Sequence, residues 1–477
     1  MRNCWIFLLV LGVLRLILWF GAFPNPDEAY YWLWGQHPDW SYYDHPALQA
    51  WINGIVTGAL GRSTFALRLP NLISNGLFFY TYYLMVRYLY PDWNVRRFWT
   101  VLLFVLASPL YFVFLNLAWH DHLLITFSLV SAYLFIRFLD GYLADGCGET
   151  WRLYGSAGAI ALAGLSKYNA LFVGLGFLAT LVADSRCRLL LRDRRFYVAG
   201  AIALSALIPI LIWNVSNNFQ SFQYYVDRSV NPVTPGVKFG SFIAFAAVSF
   251  FVLSPFCWIG FYRLLKVRFN HIHSIYPTVA FWVFAVSSTL LVIVSFISAA
   301  LYYWNITAYL LLFPLLPLVI KKPSRHIVYG TIIAALIVVH YTVLPLTALI
   351  NSEIDSESRM LFGWESIAEA VKTEAARLEA PIIVTSDYRS ASALAYQLND
   401  KNVIAISDRV DQFDFWYGDL QQFKGRNAII VSDDWFPAQL MVLSKFDRVS
   451  EPVTVSVKRF GVWIKNYDVR RGYSFKP

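Results

Sequence analysis

Apolar runs of roughly 17–23 residues recur along this chain from Trp5 to about Ile350, each long enough to cross most of a bilayer as a helix. They predict spans near 4–20, 71–90, 98–115, 121–139, 154–166, 168–183, 197–213, 239–261, 275–297, 300–320 and 327–349. Lys167 interrupts an otherwise apolar stretch, so the break between the fifth and sixth spans is the least regular. The first run contains Arg15 and no small-residue cleavage site follows it, so it reads as a span rather than a removable leader. The pattern changes near Asn351. Short β-rich runs follow at 382–386, 402–407, 428–434, 453–460 and 462–467, with helix-like segments at Trp364–Leu378 and Ser390–Leu398 between them. The expected fold is an α-helical polytopic membrane protein of about eleven transmembrane helices over residues 1–350. A C-terminal soluble α/β domain is expected over 351–477.

Composition agrees. The chain is 58% hydrophobic and only 14% charged over 477 residues, with mean hydropathy +0.50. A soluble protein of that size could not bury so much apolar surface. Charge then orients the spans. One set of alternate loops holds Arg87, Arg96, Arg97, Arg137, Arg152, the cluster Arg186–Arg195, Arg263, Lys266, Arg268, Lys321, Lys322 and Arg325. The other set holds only Arg62, Arg68, Lys167, Arg228 and Lys238. The positive-inside rule places the first set in the cytoplasm. The loop after the first span and the C-terminal domain are then periplasmic, in a multi-pass inner (plasma) membrane protein. The net charge of +9 is mostly this topology signal and argues against nucleic-acid binding. The four cysteines fall in spans or cytoplasmic loops, and their spacing implies neither a disulfide framework nor structural zinc.

The outer loops carry the candidate chemistry. Pro24–Ala47 places Asp27 and Glu28 where the chain leaves the membrane, with Asp44-His45-Pro46 shortly after. Asn25 can cap a helix, Pro26 suits its first position, and Glu28 sits where a capping-box acid reaches back. The following EAYYWLWGQH is aromatic and nearly uncharged, which predicts a short helix lying in the membrane interface. Asp44 is placed to cap a second helix through Leu48, Trp51 and Ile55. Both acids can be read as caps and nothing more, yet capping needs one acid per helix and a third is left over. The next outer turn holds His120-Asp121-His122. Adjacent residues on a helix do not face each other, so one metal site from all three is disfavoured. Lys167 would snorkel toward the same face, where it could pair with a phosphate. The loop after the seventh span, PILIWNVSNNFQSFQYYVDRSVNP, includes Asn214 and Arg228 and suits sugar and lipid-phosphate contacts as well as it suits an ordinary wet loop.

PDEAYYWLW, YYDHPALQAWI, RLPN, GLSKYNALF and P-x-x-x-WN-x-x-x-N-x-x-SF, in this order, resemble the polyprenyl-phosphate-dependent glycosyltransferases of GT-C fold. That group includes protein O-mannosyltransferases, the lipid A aminoarabinose transferase and lipopolysaccharide galacturonosyltransferases. VTSDYRSASALAYQL and RVDQFDFWYGDLQQFKGRNAIIV resemble the α/β tail of bacterial members. The resemblance implies transfer of a sugar from a polyprenyl phosphate, with inversion, to an envelope glycolipid or glycan on the periplasmic face. It makes Asp27, Glu28, Asp44 and Asp121 catalytic candidates. His45, Arg68, Lys167, Asn214 and Arg228 become substrate-binding candidates. No cofactor is firmly implied, and a divalent metal stays open. Two departures stand out: Ala47 replaces a second proline after Pro46, and Tyr303-Trp304-Asn305 stands where many relatives have His-Trp. The alternatives are a protein O-glycosyltransferase of the same fold, or a transporter or flippase for lipid-linked sugars. Mid-span acids and paired half-helix breaks, which would mark a transport path, are scarce in the sequence.

Overall fold

The structure, a computed structural model, describes residues 2–90, 94–229, 236–269, 272, 274–350 and 355–477. The composition change at Asn351 and the loop residues Val230–Pro232 lie outside the described residues. Helix occupies each of the eleven apolar runs, wholly or in part. Among the described residues, four helices are long and apolar enough to cross a membrane: Cys4–Gly21 within the first helix, His120–Asp145, Tyr276–Ile297 and Ser324–Thr342. The number rises to seven if each of three bent helix pairs is one span. The protein is thus of multi-pass membrane type. The sharpest bend, 96°, separates Phe239–Leu253 from Pro255–Leu264. Ser254 between them has φ +85°. Pro255 has no N–H to continue the first helix, so the chain restarts, and Ser254 Oγ accepts the Phe256 N–H at 3.3 Å.

The chain divides into two compact units. The first comprises 1–15, 39–49 and 71–334. Its helices approach closely. A Cβ at Gly330 would fall 1.6 Å from the Ala107 carbonyl oxygen, so only glycine allows that contact. Helices His120–Asp145 and Thr150–Ser166 are joined by reciprocal bonds: each of Ser131 and Ser156 donates its hydroxyl to the other's carbonyl, at 2.9 Å.

The second unit comprises 16–38, 50–70 and 335–477. Its six strands are β1 (Ile382–Thr385), β2 (Ile404–Ala405), β3 (Ala428–Asp433), β4 (Phe446–Val449), β5 (Val453–Arg459) and β6 (Val462–Phe475). Their order is β2-β1-β3-β6-β4, with β5 also paired to β6. Strands β2, β1 and β3 are parallel, and β6 runs antiparallel to β3, β4 and β5. The period of two explains the burial. Ile429 and Val431 face Trp364, Ile367 and Val371 of the Trp364–Ala375 helix, whereas Ala428 and Ile430 join Val384, Ile404 and Phe446 on the opposite side. Burying each Ile, Val or Phe among these contributes about 1.5–3 kcal/mol.

In this unit the Pro26–Gln36 helix packs against the Tyr388–Leu398 helix. Tyr30 meets Tyr388 at 4.9 Å and Trp32 meets Tyr396 at 5.3 Å between ring centroids. The Tyr30 hydroxyl accepts the Gln412 N–H at 2.8 Å. Residues Glu28–Trp34 are all buried. The aromatic segment is therefore core rather than a helix in the membrane interface. Its far end passes the Leu48–Leu60 helix at two glycines, where a Cβ on Gly35 would lie 2.6 Å from the Gly54 nitrogen.

Candidate active site

In the first unit, a tight turn presents the second acidic cluster. Ser41 and Pro46 form a bridge, and the Tyr42 N–H donates to the His45 carbonyl at 3.2 Å. The helix beyond begins at Leu48, so Asp44 lies too far upstream to be its N-cap. The Tyr225 hydroxyl donates to the Asp44 carbonyl oxygen and lies 2.9 Å from His45 Nδ1. The His45 ring lies 4.6 Å from that of His120. Burial, then the charges of His120, Lys167 and Arg228, push the His45 pKa well below the usual histidine range. His45 is therefore a neutral imidazole at pH 7.

The Lys167 ammonium donates to both carboxylate oxygens of Asp121, at 2.9 and 2.8 Å, and both side chains are about 95% buried. It lies 4.8 Å from the Tyr303 ring centroid. Lys167 sits just past the end of the Thr150–Ser166 helix, where the chain turns extended. This gives the lysine that breaks an apolar stretch a structural use: it neutralises a buried carboxylate. Arg228, in the last turn of the exposed Gln220–Ser229 helix, lies over the rings of Trp304 (5.4 Å) and Tyr224 (5.7 Å). Asn214 shapes the turn before that helix. Its amide nitrogen donates to Ile210 O at 2.9 Å and its Oδ1 accepts the Phe222 N–H at 3.3 Å.

His122 is fixed by Ser74 at Nδ1 (2.7 Å) and Gln49 at Nε2 (3.0 Å). Among the described residues, no three His, Cys, Asp or Glu side chains are grouped as metal ligands. An ammonium 2.8 Å from Asp121 takes the place a cation would need. This donor set does not fit a divalent ion.

In the second unit, Asn25 caps the Pro26–Gln36 helix as the sequence predicts. Its Oδ1 accepts the Asp27 N–H at 3.0 Å, and its N–H donates to Glu28 Oε2 at 2.9 Å. Glu28 also accepts two bonds from Arg68, at 2.8 and 2.7 Å, and neither side chain is exposed. Arg68 reaches further, to the carbonyls of Leu18 (3.2 Å), Trp19 (2.6 Å) and Ala22 (3.2 Å). These carbonyls lie at or just past the C-terminal end of the first helix, where backbone donors run out; Leu18 O also accepts the Ala22 N–H at 3.3 Å. Glu28 and Arg68 thus tie two helix ends together. Asp27 is half-buried in the first turn of its helix, where the dipole favours a carboxylate. Its charge also acts on Arg389 of the same unit.

The structure therefore gathers Asp44, His45, Asp121, Lys167, Asn214 and Arg228 in one unit, and Asp27, Glu28 and Arg68 in the other. Sequence reasoning missed Tyr225 and Tyr224 as neighbours of the first cluster; it singled out His120 and Trp304 without placing them beside His45 and Arg228. It also missed Asp39, whose carboxylate accepts the Trp213 indole N–H at 3.0 Å. The only signal for the tyrosines was their place in an amide- and aromatic-rich loop.

This fold is that of the GT-C glycosyltransferases. Residues 44–213 match the family described as dolichyl-phosphate-mannose-protein mannosyltransferase. Lipid A galacturonosyltransferase RgtD of Rhizobium johnstonii is 24% identical over 387 residues, which cover 78% of this chain and 77% of that protein. Crystal structures of ArnT from Cupriavidus metallidurans share the fold. The form bound to undecaprenyl phosphate aligns with TM-score 0.65 at 15% identity, covering 97% of each chain. The apo form gives 0.63 at 15% identity, covering 98% of each.

Proposed function

We propose that this chain transfers a sugar from a polyprenyl phosphate to lipid A or a related envelope glycolipid on the periplasmic face, with inversion at the anomeric carbon. Residues 1–350 are the membrane glycosyltransferase domain in this reading, and 351–477 a periplasmic α/β domain. The observation that carries it is the buried Lys167–Asp121 pair, with neutral His45 nearby and Arg228 on the same unit. Displacement of a polyprenyl phosphate puts negative charge on its oxygens. Lys167 holds its third proton for that phosphate, Arg228 offers a planar guanidinium, and Asp121 keeps the ammonium charged and oriented. Burial of Lys167 against Tyr303 keeps water from its contact and strengthens it. Asp27 takes the proton of a hydroxyl acceptor; an acceptor phosphate would need no base. Glu28 and Arg68 hold the Asp27 helix rather than touching substrate. The bound lipid of the ArnT crystal structure and the acceptor in the name of the rhizobial relative support the choice of substrates.

The test is mass spectrometry of lipid A and surface polysaccharide from cells with and without the gene. A glycolipid mass lower by one sugar residue in the deletion, restored by the wild-type gene and not by Lys167→Ala, is expected. Unchanged glycolipids with a lost sugar on proteins would instead favour the protein O-glycosyltransferase reading, which the family description supports.

A further inference from the structure

A groove of about 510 Å³ lies between the Pro255–Leu264 and Tyr276–Ile297 helices of the first unit. Helical spacing builds its walls. Trp258, Phe261 and Leu264 recur every three residues on one helix, and Pro277, Phe281 and Phe284 follow at steps of four and three on the other. Leu265 and Phe281 line the groove and are exposed, so it opens to the surroundings of the protein. In a bilayer those surroundings are lipid. Moving an acyl chain from the bilayer into an apolar groove gains little, because lipid tails are as apolar as the walls. Such a groove therefore selects a lipid chiefly through its head group.

The charges beside the groove are of one sign. Residues 228–352 contain no Asp or Glu. Arg263, Lys266 and Arg268 lie within the segment 258–269 that supplies one wall, and all three are exposed. The Lys266 ammonium lies 4.5 Å from the ring centroid of Tyr262, a lining residue. Arg263 donates to the Val319 carbonyl at 3.3 Å, which brings Lys321 and Lys322 toward the same end. One acid from another helix, Asp140, reaches the neighbouring turn. Its oxygens accept the Tyr88 and Ser274 hydroxyls at 2.6 and 2.5 Å and the Ile275 N–H at 2.7 Å. Basic pockets between membrane helices suit anionic lipid head groups, and a phosphodiester takes charge-assisted bonds from guanidinium and ammonium groups.

The groove and the groups assigned to the sugar donor sit at opposite ends of one helix. Pro277 and Thr278 line the groove in the first turn of the Tyr276–Ile297 helix. Ser298, just past the last turn, donates its hydroxyl to the Arg228 carbonyl. At 1.5 Å per residue this helix is about 33 Å long, close to the roughly 30 Å of a hydrocarbon core. Its two ends therefore meet different leaflets.

We propose that this groove seats an acyl chain of an anionic phospholipid, with the head-group phosphate on Arg263, Lys266 and Arg268, in the leaflet opposite Arg228. Its occupancy is read without turnover, so a failure here leaves the transfer reading untouched.

Native mass spectrometry of the purified full-length protein in detergent tests it, with phosphatidylglycerol and phosphatidylcholine of identical acyl chains as probes. One phosphatidylglycerol should bind about tenfold or more tightly than phosphatidylcholine. R263Q/K266Q/R268Q changes only exposed side chains and should bring the two lipids to the same affinity. Thr278→Trp fills the groove from its wall, keeps the charges, and should abolish the tight site. Equal affinities in the wild type would overturn the proposal, as would a preference that survives the triple glutamine variant. Phosphatidylglycerol binding unchanged by Thr278→Trp would reduce the site to a basic surface without a groove and also overturn it. So would undecaprenyl phosphate binding in preference to phosphatidylglycerol and losing that binding in the same variants, which would put a polyprenyl lipid in the groove instead.

Discussion

Glu28–Arg68 and Asp121–Lys167 are both carboxylate–cation pairs with almost no exposure, yet their remaining hydrogen-bonding groups are used differently. The Arg68 guanidinium serves Glu28 and, in addition, carbonyls at the end of the first helix. The second oxygen of Glu28 also receives the N-cap amide of its own helix. That pair is closed on itself. The Lys167 ammonium gives two bonds to Asp121 and, among the described residues, no third. An arginine clamped by two helix ends builds the scaffold, whereas a lysine with a proton in reserve can meet a ligand. Burial and pairing alone do not separate the two roles; counting the donors still open does.

The comparison breaks most visibly if Arg68 is removed. Arg68→Ala leaves Glu28 charged in the interior and strips a helix end of its partners, which costs about 3–5 kcal/mol. The variant protein should fail to accumulate in membranes, as read by immunoblot. Normal accumulation would deny the pair its structural role. The converse test uses Asp121→Asn with Lys167→Gln, which removes both charges together and avoids a lone buried ion. That double variant should accumulate normally and lose transfer, because its pair serves chemistry.

Asp27→Asn sharpens the assignment inside the second unit. It keeps size and removes the charge, so transfer to a hydroxyl acceptor should fall by about 10²–10⁴-fold while the capping box holds the helix in place. Near-normal transfer would remove Asp27 from the mechanism or indicate an acceptor that needs no base.

Smaller effects belong to the His45 turn. Tyr225→Phe deletes one hydroxyl contact with Asp44 and His45, worth about 1 kcal/mol, and should lower transfer by a few-fold in steady-state assays. His45 binds its proton less readily in the folded protein than in the unfolded chain. Its contribution to stability is thus present above the unfolded pKa of about 6.5 and declines as pH falls through that value. Melting temperatures measured between pH 7.5 and 5 should fall less for His45→Gln than for the wild type. Identical slopes would mean that His45 is solvated.

The sequence carried the local features of this design. The capping box at Asn25 and Glu28 is read from four adjacent residues, and it forms as expected. Four of the five β-rich runs appear close to their expected extents or longer, and the fifth, 402–407, shortens to β2. Strand β4 was not legible because FDRV exposes its two charges and buries chiefly Phe446, too short an alternation to register. The partners of Glu28 and Asp121 lie 40 and 46 residues away, and no period links them. Tyr30–Trp34 shows the limit of composition. An aromatic, uncharged helix reads the same whether it lies on a bilayer or under a domain, and only the packing on Tyr388, Tyr396 and Phe413 decides.

The central claim, that Lys167 meets the lipid phosphate of the donor, is tested most directly by donor kinetics. Purified wild type and Lys167→Ala/Asp121→Asn, which leaves no lone buried carboxylate, would be reconstituted in lipid and titrated with polyprenyl-phosphate sugar at saturating acceptor. Loss of a charge-assisted bond of roughly 1.5–3 kcal/mol predicts a donor KM raised by about tenfold or more, with the acceptor KM little changed. An unchanged donor KM with normal turnover in the double variant would contradict it and leave Lys167 as a counter-ion to Asp121 alone.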